Sequence, residues 1–197
     1  MKKAIILAIS MCLITAQATQ AFEKGYEKRV EAYAFAGLTD YYKSLFGVGM
    51  VNGWRMTPSI FVGVGTGFEY SNALYRTGLK DDQYCPQYMI PLYGEFKYNF
   101  RSHQKVSPYL LLDAGWVLNF GGEDDKDISK RSIYGLMAST RYGIDVKVGD
   151  EIRMFASVGP RFQHVRHTDR YPGTKGWEHH LIDKMLTTVC LHIGIIF

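Results

Sequence analysis

The chain ends with the sequence Thr187-Thr188-Val189-Cys190-Leu191-His192-Ile193-Gly194-Ile195-Ile196-Phe197, in which polarity alternates. Counted back from the end, every second residue is apolar, which gives the set Phe197, Ile195, Ile193, Leu191 and Val189. The positions between them include the small or polar residues Gly194, His192 and Cys190. Because successive side chains of a β-strand point to opposite faces, this period of two predicts a strand with one wholly apolar face.

The same period of two recurs along the chain and predicts eight strands. In the segment 133–148 the even positions are almost all apolar or aromatic, whereas Arg141, Asp145 and Lys147 occupy odd positions. A helix would scatter both sets around its axis. The predicted strands are 26–38, 45–56, 60–70, 88–100, 109–120, 133–148, 151–165 and 185–197.

The predicted connections alternate in length. The segments 57–59, 101–106 and 149–150 are short, whereas 71–87, 121–131 and 166–184 are long and polar, and 39–43 is a brief exception on the long side. Short turns at one rim and long loops at the other are typical of outer-membrane barrels, in which the long loops are extracellular.

Charged residues on the faces opposite to the apolar ones decide where the apolar faces point. Lipid cannot satisfy free backbone N–H and C=O groups, so a sheet inside a bilayer has to close. A soluble barrel also closes, but it needs an apolar interior, which these charges would not provide. The sequence therefore predicts an all-β fold, a closed antiparallel up-and-down transmembrane β-barrel of eight strands with lipid on its apolar face. The predicted luminal charges are Glu69, Glu95, Lys97, Asp113, Arg141, Asp145, Lys147, Arg153 and Arg161.

The predicted lumen is narrow. Eight strands enclose an interior only just wide enough for side chains to fill. A buried charge is costly unless it is paired and hydrogen-bonded, so we expect the luminal charges to form a network across the lumen and to plug it. The glycines Gly63, Gly65 and Gly67 are expected to make room for the long charged side chains beside them.

The first residues predict a secretory signal peptide over 1–21. Met1-Lys2-Lys3 is followed by an apolar run over 4–14 and by small residues up to Ala21. The run is well below the roughly 20 apolar residues of a spanning helix. Cleavage after Ala18 or Ala21 is compatible with the small residues there, and we favour Ala21, which leaves 22–197 as one barrel domain. Cys12 follows Met11 rather than the small residue that a lipoprotein signal would have.

The charge and cysteine content exclude two other classes. Removal of 1–21 leaves 21 Lys and Arg against 19 Asp and Glu, because only Lys2 and Lys3 are lost. This balance does not support a nucleic-acid-binding surface, which needs clustered basic charge. Cys85 and Cys190 would remain, and two cysteines do not make a disulfide scaffold. We expect both to be free thiols, with Cys85 in a long outer loop.

Two groups of residues are candidates for chemistry at the long loops. The histidines His164, His167, His179 and His180 would suit zinc or copper, although a solvated polar loop explains them as well and no further ligand completes a known site. Ser132, His164 and Asp183 would be the members of a hydrolytic triad, but a triad is recognised by geometry rather than spacing. We therefore expect no cofactor, no metal and no catalysis.

Two segments resemble a small outer-membrane β-barrel family of Gram-negative bacteria. They are Asn52-Gly53-Trp54-Arg55-Met56-Thr57-Pro58-Ser59-Ile60-Phe61-Val62-Gly63-Val64-Gly65-Thr66-Gly67-Phe68-Glu69-Tyr70 and Ile90-Pro91-Leu92-Tyr93-Gly94-Glu95-Phe96-Lys97-Tyr98-Asn99-Phe100. Val106-Ser107-Pro108-Tyr109 is similar as well, and the likeness is strongest over about 50–118. The resemblance implies an OmpA/OmpX-like eight-stranded fold and an outer-membrane location. It implies no activity.

The end of the chain also resembles the C-terminal signal by which outer-membrane barrels are recognised for assembly, with Phe197 as its aromatic residue. We therefore expect periplasmic chaperones and the barrel-assembly machinery as partners during biogenesis, outer-membrane lipid as the permanent partner, and an extracellular ligand of unknown kind. The favoured function is a structural or surface-binding scaffold that acts through its extracellular loops. A small pore for ions or solutes, or an outer-membrane enzyme acting on lipid or peptide, are the alternatives.

Overall fold

A computed structural model describes residues 24–38, 42–76, 82–100, 102, 104–120, 134–148, 152–173 and 176–197. Side chains are described for these residues except 42–44, 72–76, 82–86, 119–120, 134, 165–173 and 176–184. The predicted signal peptide and Ser132 lie outside the described residues. Among the residues that the structure covers, no helix is long and apolar enough to cross a membrane.

The described residues form eight strands in a closed barrel, and each strand pairs antiparallel with its sequence neighbours. This architecture confirms the predicted fold class and strand number. The strands are β1 Gly25–Gly37, β2 Tyr42–Arg55, β3 Ile60–Arg76, β4 Asp82–Asn99, β5 Val106–Phe120, β6 Tyr134–Lys147, β7 Arg153–Gly173 and β8 Gly176–Ile196.

Closure takes place between the first and last strands. The β1–β8 ladder extends from Arg29 opposite Ile196 to Gly37 opposite Thr188. Just before it, Lys28 and Phe197 exchange two backbone hydrogen bonds, with N···O distances of 2.8 and 3.1 Å. The terminal aromatic residue therefore takes part in closing the barrel, while its role as an assembly signal stays a prediction.

The outer surface is apolar, as the period of two predicted. In β8, Val189, Leu191 and Ile193 are exposed, while Cys190 and His192 between them are buried in the lumen. Bulky side chains such as Trp116, at 60% exposure, continue this surface around the barrel. An apolar surface that runs around a closed barrel is typical of a barrel embedded in lipid.

The strands are longer than predicted on one side of the barrel. The segments 71–87 and 166–184 were expected to be loops, and this prediction is wrong. β3 and β4 stay paired up to Arg76 opposite Asp82, and β7 and β8 up to Gly173 opposite Gly176. Outside the bilayer no strand face has to be apolar, so the period-two signal fades while backbone pairing continues.

Cys85 is affected by the same correction. It lies within β4, opposite Ala73, rather than in a loop, and its side chain is outside the described part of the chain. The thiol of Cys190 is free and buried, and it donates a hydrogen bond to the Gly159 carbonyl oxygen at 2.9 Å.

The luminal glycines make room for aromatic rings rather than for charged side chains. A Cβ atom on Gly65 would lie 2.3 Å from the Tyr93 ring, and one on Gly67 would lie 2.6 Å from the Tyr33 hydroxyl. Gly63 faces the Phe61 ring and the Asn52 carbonyl oxygen at 2.8 and 2.9 Å. The expectation that charged neighbours occupy this space is wrong, because atoms of the Tyr33, Phe61 and Tyr93 side chains lie beside these glycines.

Candidate functional site

Charged side chains fill the lumen in three layers. We name them the turn-side layer, near the short turns; the central layer; and the hairpin-side layer, near the long β3–β4 and β7–β8 hairpins. Together they form the luminal network. Each layer draws its members from several strands, because inward positions recur at every second residue and the closed barrel brings distant strands face to face.

The central layer is built on two arginines. The guanidinium of Arg29 donates from both terminal nitrogens to the carboxylate of Glu95, with Nη1 to Oε1 at 2.6 Å. Arg141 Nη2 donates to Asp113 Oδ2 at 2.6 Å, and Arg141 Nη1 lies 3.4 Å from Glu31 Oε2. Charge-assisted hydrogen bonds are stronger than neutral ones, and a bidentate pair also fixes the orientation of both side chains.

Neutral groups add further hydrogen bonds to the central layer. Tyr93 donates its hydroxyl to Glu31 Oε1 at 3.0 Å, and Ser139 donates to Asp113 Oδ2 at 2.7 Å. Arg141 Nη1 lies 2.6 Å from His192 Nδ1. Because a guanidinium only donates, Nδ1 is the acceptor, and the His192 imidazole is neutral in this arrangement.

The turn-side layer connects five side chains. Arg55 donates to Glu27 Oε2 at 2.6 Å and to Asn99 Oδ1 at 3.1 Å. Asn99 in turn donates to Asp145 Oδ2 at 2.8 Å. Lys97 donates to Asp145 Oδ1 at 2.8 Å, and its ammonium lies 4.1 Å from the centre of the Tyr109 ring. Every ionic group in this chain of bonds therefore has an opposite charge or an amide beside it.

The hairpin-side layer has one ion pair within an apolar surround. Arg161 donates to both oxygens of Glu69, at 2.6 and 3.1 Å, and its guanidinium carbon lies 4.7 Å from the centre of the Phe35 ring. The apolar side chains in this half of the lumen include Tyr33, Phe35, Leu45, Met89 and Met137. Water exclusion by these groups strengthens the single pair.

The buried charges balance. Six cationic and six anionic side chains, each at most 7% exposed, lie in the described lumen. The cations are Arg29, Arg55, Lys97, Arg141, Arg153 and Arg161, and the anions are Glu27, Glu31, Glu69, Glu95, Asp113 and Asp145. Burial of an unpaired charge is costly, so equal numbers allow the network to exist without a bound ion.

The structure brings eight of the nine predicted luminal charges into the buried lumen and leaves one outside it. Lys147 is exposed at the end of β6, opposite Arg153. Its position continues the inward-facing alternation of β6, but it is the last residue of the strand. A long side chain there reaches water beyond the rim.

Sequence reasoning missed Glu27, Arg29, Glu31, Arg55 and His192. A signal was present for the first three. They occupy alternate positions of β1, and the intervening residues Lys28 and Val30 face outward. Small alanines occupy outward positions of β1, so the alternation of apolar and polar residues in β1 is less distinct than that in β6.

Comparisons with known proteins agree on the architecture. No protein-family model and no curated protein matches the chain. The solved structures that share the fold include three at 12–16% sequence identity. OprG from Pseudomonas aeruginosa has a TM-score of 0.58 at 12% identity, with 88% of this chain and 95% of that chain covered.

AlkL, solved in lipid bilayers, has a TM-score of 0.55 at 13% identity, with 92% of this chain and 93% of that chain covered. Neisserial surface protein A has a TM-score of 0.52 at 16% identity, with 87% and 94% covered. This chain has the fold of a small outer-membrane β-barrel. The apolar outer surface of this barrel fits the same location, the outer membrane.

A barrel fold by itself carries no activity, because activity depends on the site. Of the proposed triad, Ser132 lies outside the described residues, as does the side chain of Asp183. His164 belongs to β7 and is half-buried at an outward position. The buried Ser139 donates directly to a carboxylate rather than to a histidine, which is not the arrangement of an activated nucleophile.

Within the described side chains, no group of three or more His, Cys, Asp and Glu could hold a metal.

Proposed function

We propose that this protein is an outer-membrane scaffold whose lumen is closed by the luminal network and whose working surface is the hairpin end. The observation that carries the proposal is the direction of the ion pairs. Arg29–Glu95 joins β1 to β4, Arg141–Glu31 joins β6 to β1, and Arg161–Glu69 joins β7 to β3. These bridges cross the interior between strands three or four positions apart around the barrel.

A continuous water path would have to pass all three layers. Each layer is held by hydrogen bonds between side chains that are almost fully buried, so opening the path means separating buried ion pairs. Leaving one charge of such a pair without its partner costs about 3–5 kcal/mol. A spontaneous opening of several pairs at once is therefore too rare to support sustained flux, and the small-pore alternative is disfavoured.

The hairpin end remains as the surface for interaction. There β3–β4 and β7–β8 continue beyond the barrel as paired strands, and both carry polar sequence that the bilayer does not require. A rigid barrel beneath a polar hairpin surface suits a structural or binding role, since function concentrates on connections that a rigid scaffold positions. We infer no catalytic role for the hairpin end.

Uptake of small solutes into proteoliposomes tests the proposal. Purified wild-type protein in liposomes is expected to give no more swelling in isotonic sugar than protein-free liposomes. The matched variants are Glu69→Ala with Arg161→Ala, which removes the ion pair of the hairpin-side layer, and Lys105→Ala, which removes an exposed charge beside a short turn. Rapid swelling with the wild-type protein would contradict the closed lumen and support a pore.

A further inference from the structure

The lipid-facing surface carries a lysine near one end of the barrel. Among the outward-facing strand positions whose side chains the structure describes, Lys28 is the only lysine, arginine, aspartate or glutamate. It is half-buried and lies near the start of β1, at the end of the barrel that has the short turns. A lysine on the lipid face is costly at the bilayer midplane and costs little at the membrane interface. Lys28 therefore belongs at headgroup level on the turn side, which is the periplasmic side of an outer-membrane barrel.

Two aromatic residues place Lys28 in the interfacial girdle. The Lys28 ammonium lies 5.6 Å from the centre of the Tyr26 ring, and Tyr26 is directly opposite Trp54 on β2. Both aromatic side chains are exposed, Tyr26 at 40% and Trp54 at 57%. Tyrosine and tryptophan rings near strand ends form the girdles that meet the headgroup region of a bilayer. The ammonium thus lies at the depth of the phospholipid phosphates.

The backbone register brings an amide group close to this ammonium. Lys28 uses both its N–H and its C=O to bond Phe197 on β8, at N···O distances of 3.1 and 2.8 Å. Lys28 and Asn52 are therefore a non-hydrogen-bonded pair of the β1–β2 ladder. In such a pair the Cα atoms are about 4.5 Å apart and the side chains are close to each other on one face.

The amide of Asn52 is held in a fixed direction by Tyr26. The Tyr26 hydroxyl donates to Asn52 Oδ1 at 2.9 Å, so this hydrogen bond occupies the carbonyl side of the amide. The two N–H donors of Nδ2 are on the other side of the same planar group. An ammonium with three donors and an amide with two donors are thus neighbours on one outward surface. Such a set of donors suits the oxygens of a phosphate group.

We propose that Lys28 and Asn52 form a site for the phosphate of an anionic phospholipid, of the phosphatidylglycerol class, in the periplasmic leaflet. A lipid is the occupant that the surroundings favour, because the site opens on the lipid-facing surface of the barrel. Val30 and Met50, the next outward pair of the same two strands, continue the site as an apolar surface for the acyl chains. This inference does not depend on whether the lumen is closed.

Quenching of Trp54 fluorescence by spin-labelled lipids tests the site in the refolded full barrel in bilayers. Replacing Trp116 and Trp177 by Phe leaves Trp54 as the single tryptophan of the chain. Phosphatidylglycerol and phosphatidylcholine, each spin-labelled close to the glycerol backbone, are compared at the same mole fraction. Trp54 is expected to report a preference of about fivefold for phosphatidylglycerol, as one lysine at an anionic headgroup provides. A chain with Trp116 as its single tryptophan, on the outer face of β5, should report no preference.

Variants of the site separate it from the general charge of the turn side. Lys28→Gln should remove the preference reported by Trp54, and Lys28→Arg should retain it. Asn52→Asp should also remove it, because the variant keeps an acceptor for the Tyr26 hydroxyl but places a negative charge beside the ammonium. Lys105→Gln is the matched control, since it removes an exposed cation beside a short turn at the same end of the barrel, and it should leave the preference unchanged.

Gel mobility before and after boiling checks that every variant is folded, and Asn52→Asp provides the test if Lys28→Gln does not fold. An equal response of Trp54 to the two lipids, with Lys28 and Asn52 intact, overturns the proposal. So does a loss of preference in Lys105→Gln as large as that in Lys28→Gln, because the net charge of the turn side would then be its cause. The same preference at Trp116 as at Trp54 also contradicts a localised site.

Discussion

Arg29 on β1 and Glu95 on β4 are joined through both terminal nitrogens of the guanidinium and both oxygens of the carboxylate. The two residues are 66 positions apart in the sequence and three strands apart around the barrel. Their pair spans the lumen, and Arg141 lies within 3.5 Å of the same carboxylate. The centre of the barrel is thus occupied by side chains that hold one another in place.

Removal of Arg141 should destabilise the barrel strongly. Its guanidinium contacts Asp113, Glu31 and Glu95, so Arg141→Met leaves Asp113 buried without its cation. Glu31 and Glu95 keep Arg29 but lose their second cation. We expect a loss of about 3–5 kcal/mol in the free energy of unfolding, measured by urea titration in lipid vesicles. Lys105→Met, at an exposed charge beside a short turn, should change it by no more than about 0.5 kcal/mol. A loss in Arg141→Met as small as that of the control would contradict the paired network.

A methyl group on Gly65 should be poorly tolerated. Its Cβ atom would lie 2.3–2.4 Å from ring carbons of Tyr93, so either the ring or the strand has to move. Gly65→Ala is expected to cost about 1–3 kcal/mol of stability because it overpacks the lumen. Gly94→Ala is the matched control, since its Cβ would face outward, 3.9 Å from the Ala114 carbonyl oxygen. Equal stability of the two variants would show that the ring does not occupy the space beside Gly65.

The two cysteines of the barrel should differ in reactivity. Cys190 is fully buried and bonded to the Gly159 carbonyl oxygen, so the folded barrel should protect it from maleimide. We expect Cys85, in the β3–β4 hairpin beyond the rim, to be modified first, and Cys190 only after unfolding. Peptide mass mapping of labelled protein distinguishes the two. Labelling of Cys190 at the same rate in folded and unfolded protein, or a linked Cys85–Cys190 peptide, would refute this assignment.

The sequence was sufficient for the architecture because the bilayer imposes a strict rule on it. Residues such as Leu191 and Trp116 have to face lipid, and the period of two then fixes which side chains enter the lumen. The same rule failed beyond the rim, where the β7–β8 pairing continues to Gly173 opposite Gly176 without any apolar stripe. It also failed in part for β1, whose outer face contains alanines rather than bulky apolar residues.

The partners inside the lumen could not be predicted from the sequence. Parity places Glu95 and Arg141 inside, but which cation meets which anion depends on the stagger between strands and on the diameter of the closed barrel. Arg29 pairs with Glu95 rather than with a charge on a neighbouring strand because of that geometry.

The closed lumen is the central claim, and single-channel recording in planar bilayers tests it most directly. Pure wild-type protein, inserted at high copy number beside a characterised porin as positive control, is expected to give no stable conductance steps. The variant that lacks both Glu69 and Arg161 measures how far the loss of one layer opens the path. Reproducible conductance steps from the wild-type protein would contradict the account, because ions cannot pass while the three layers of side chains remain paired.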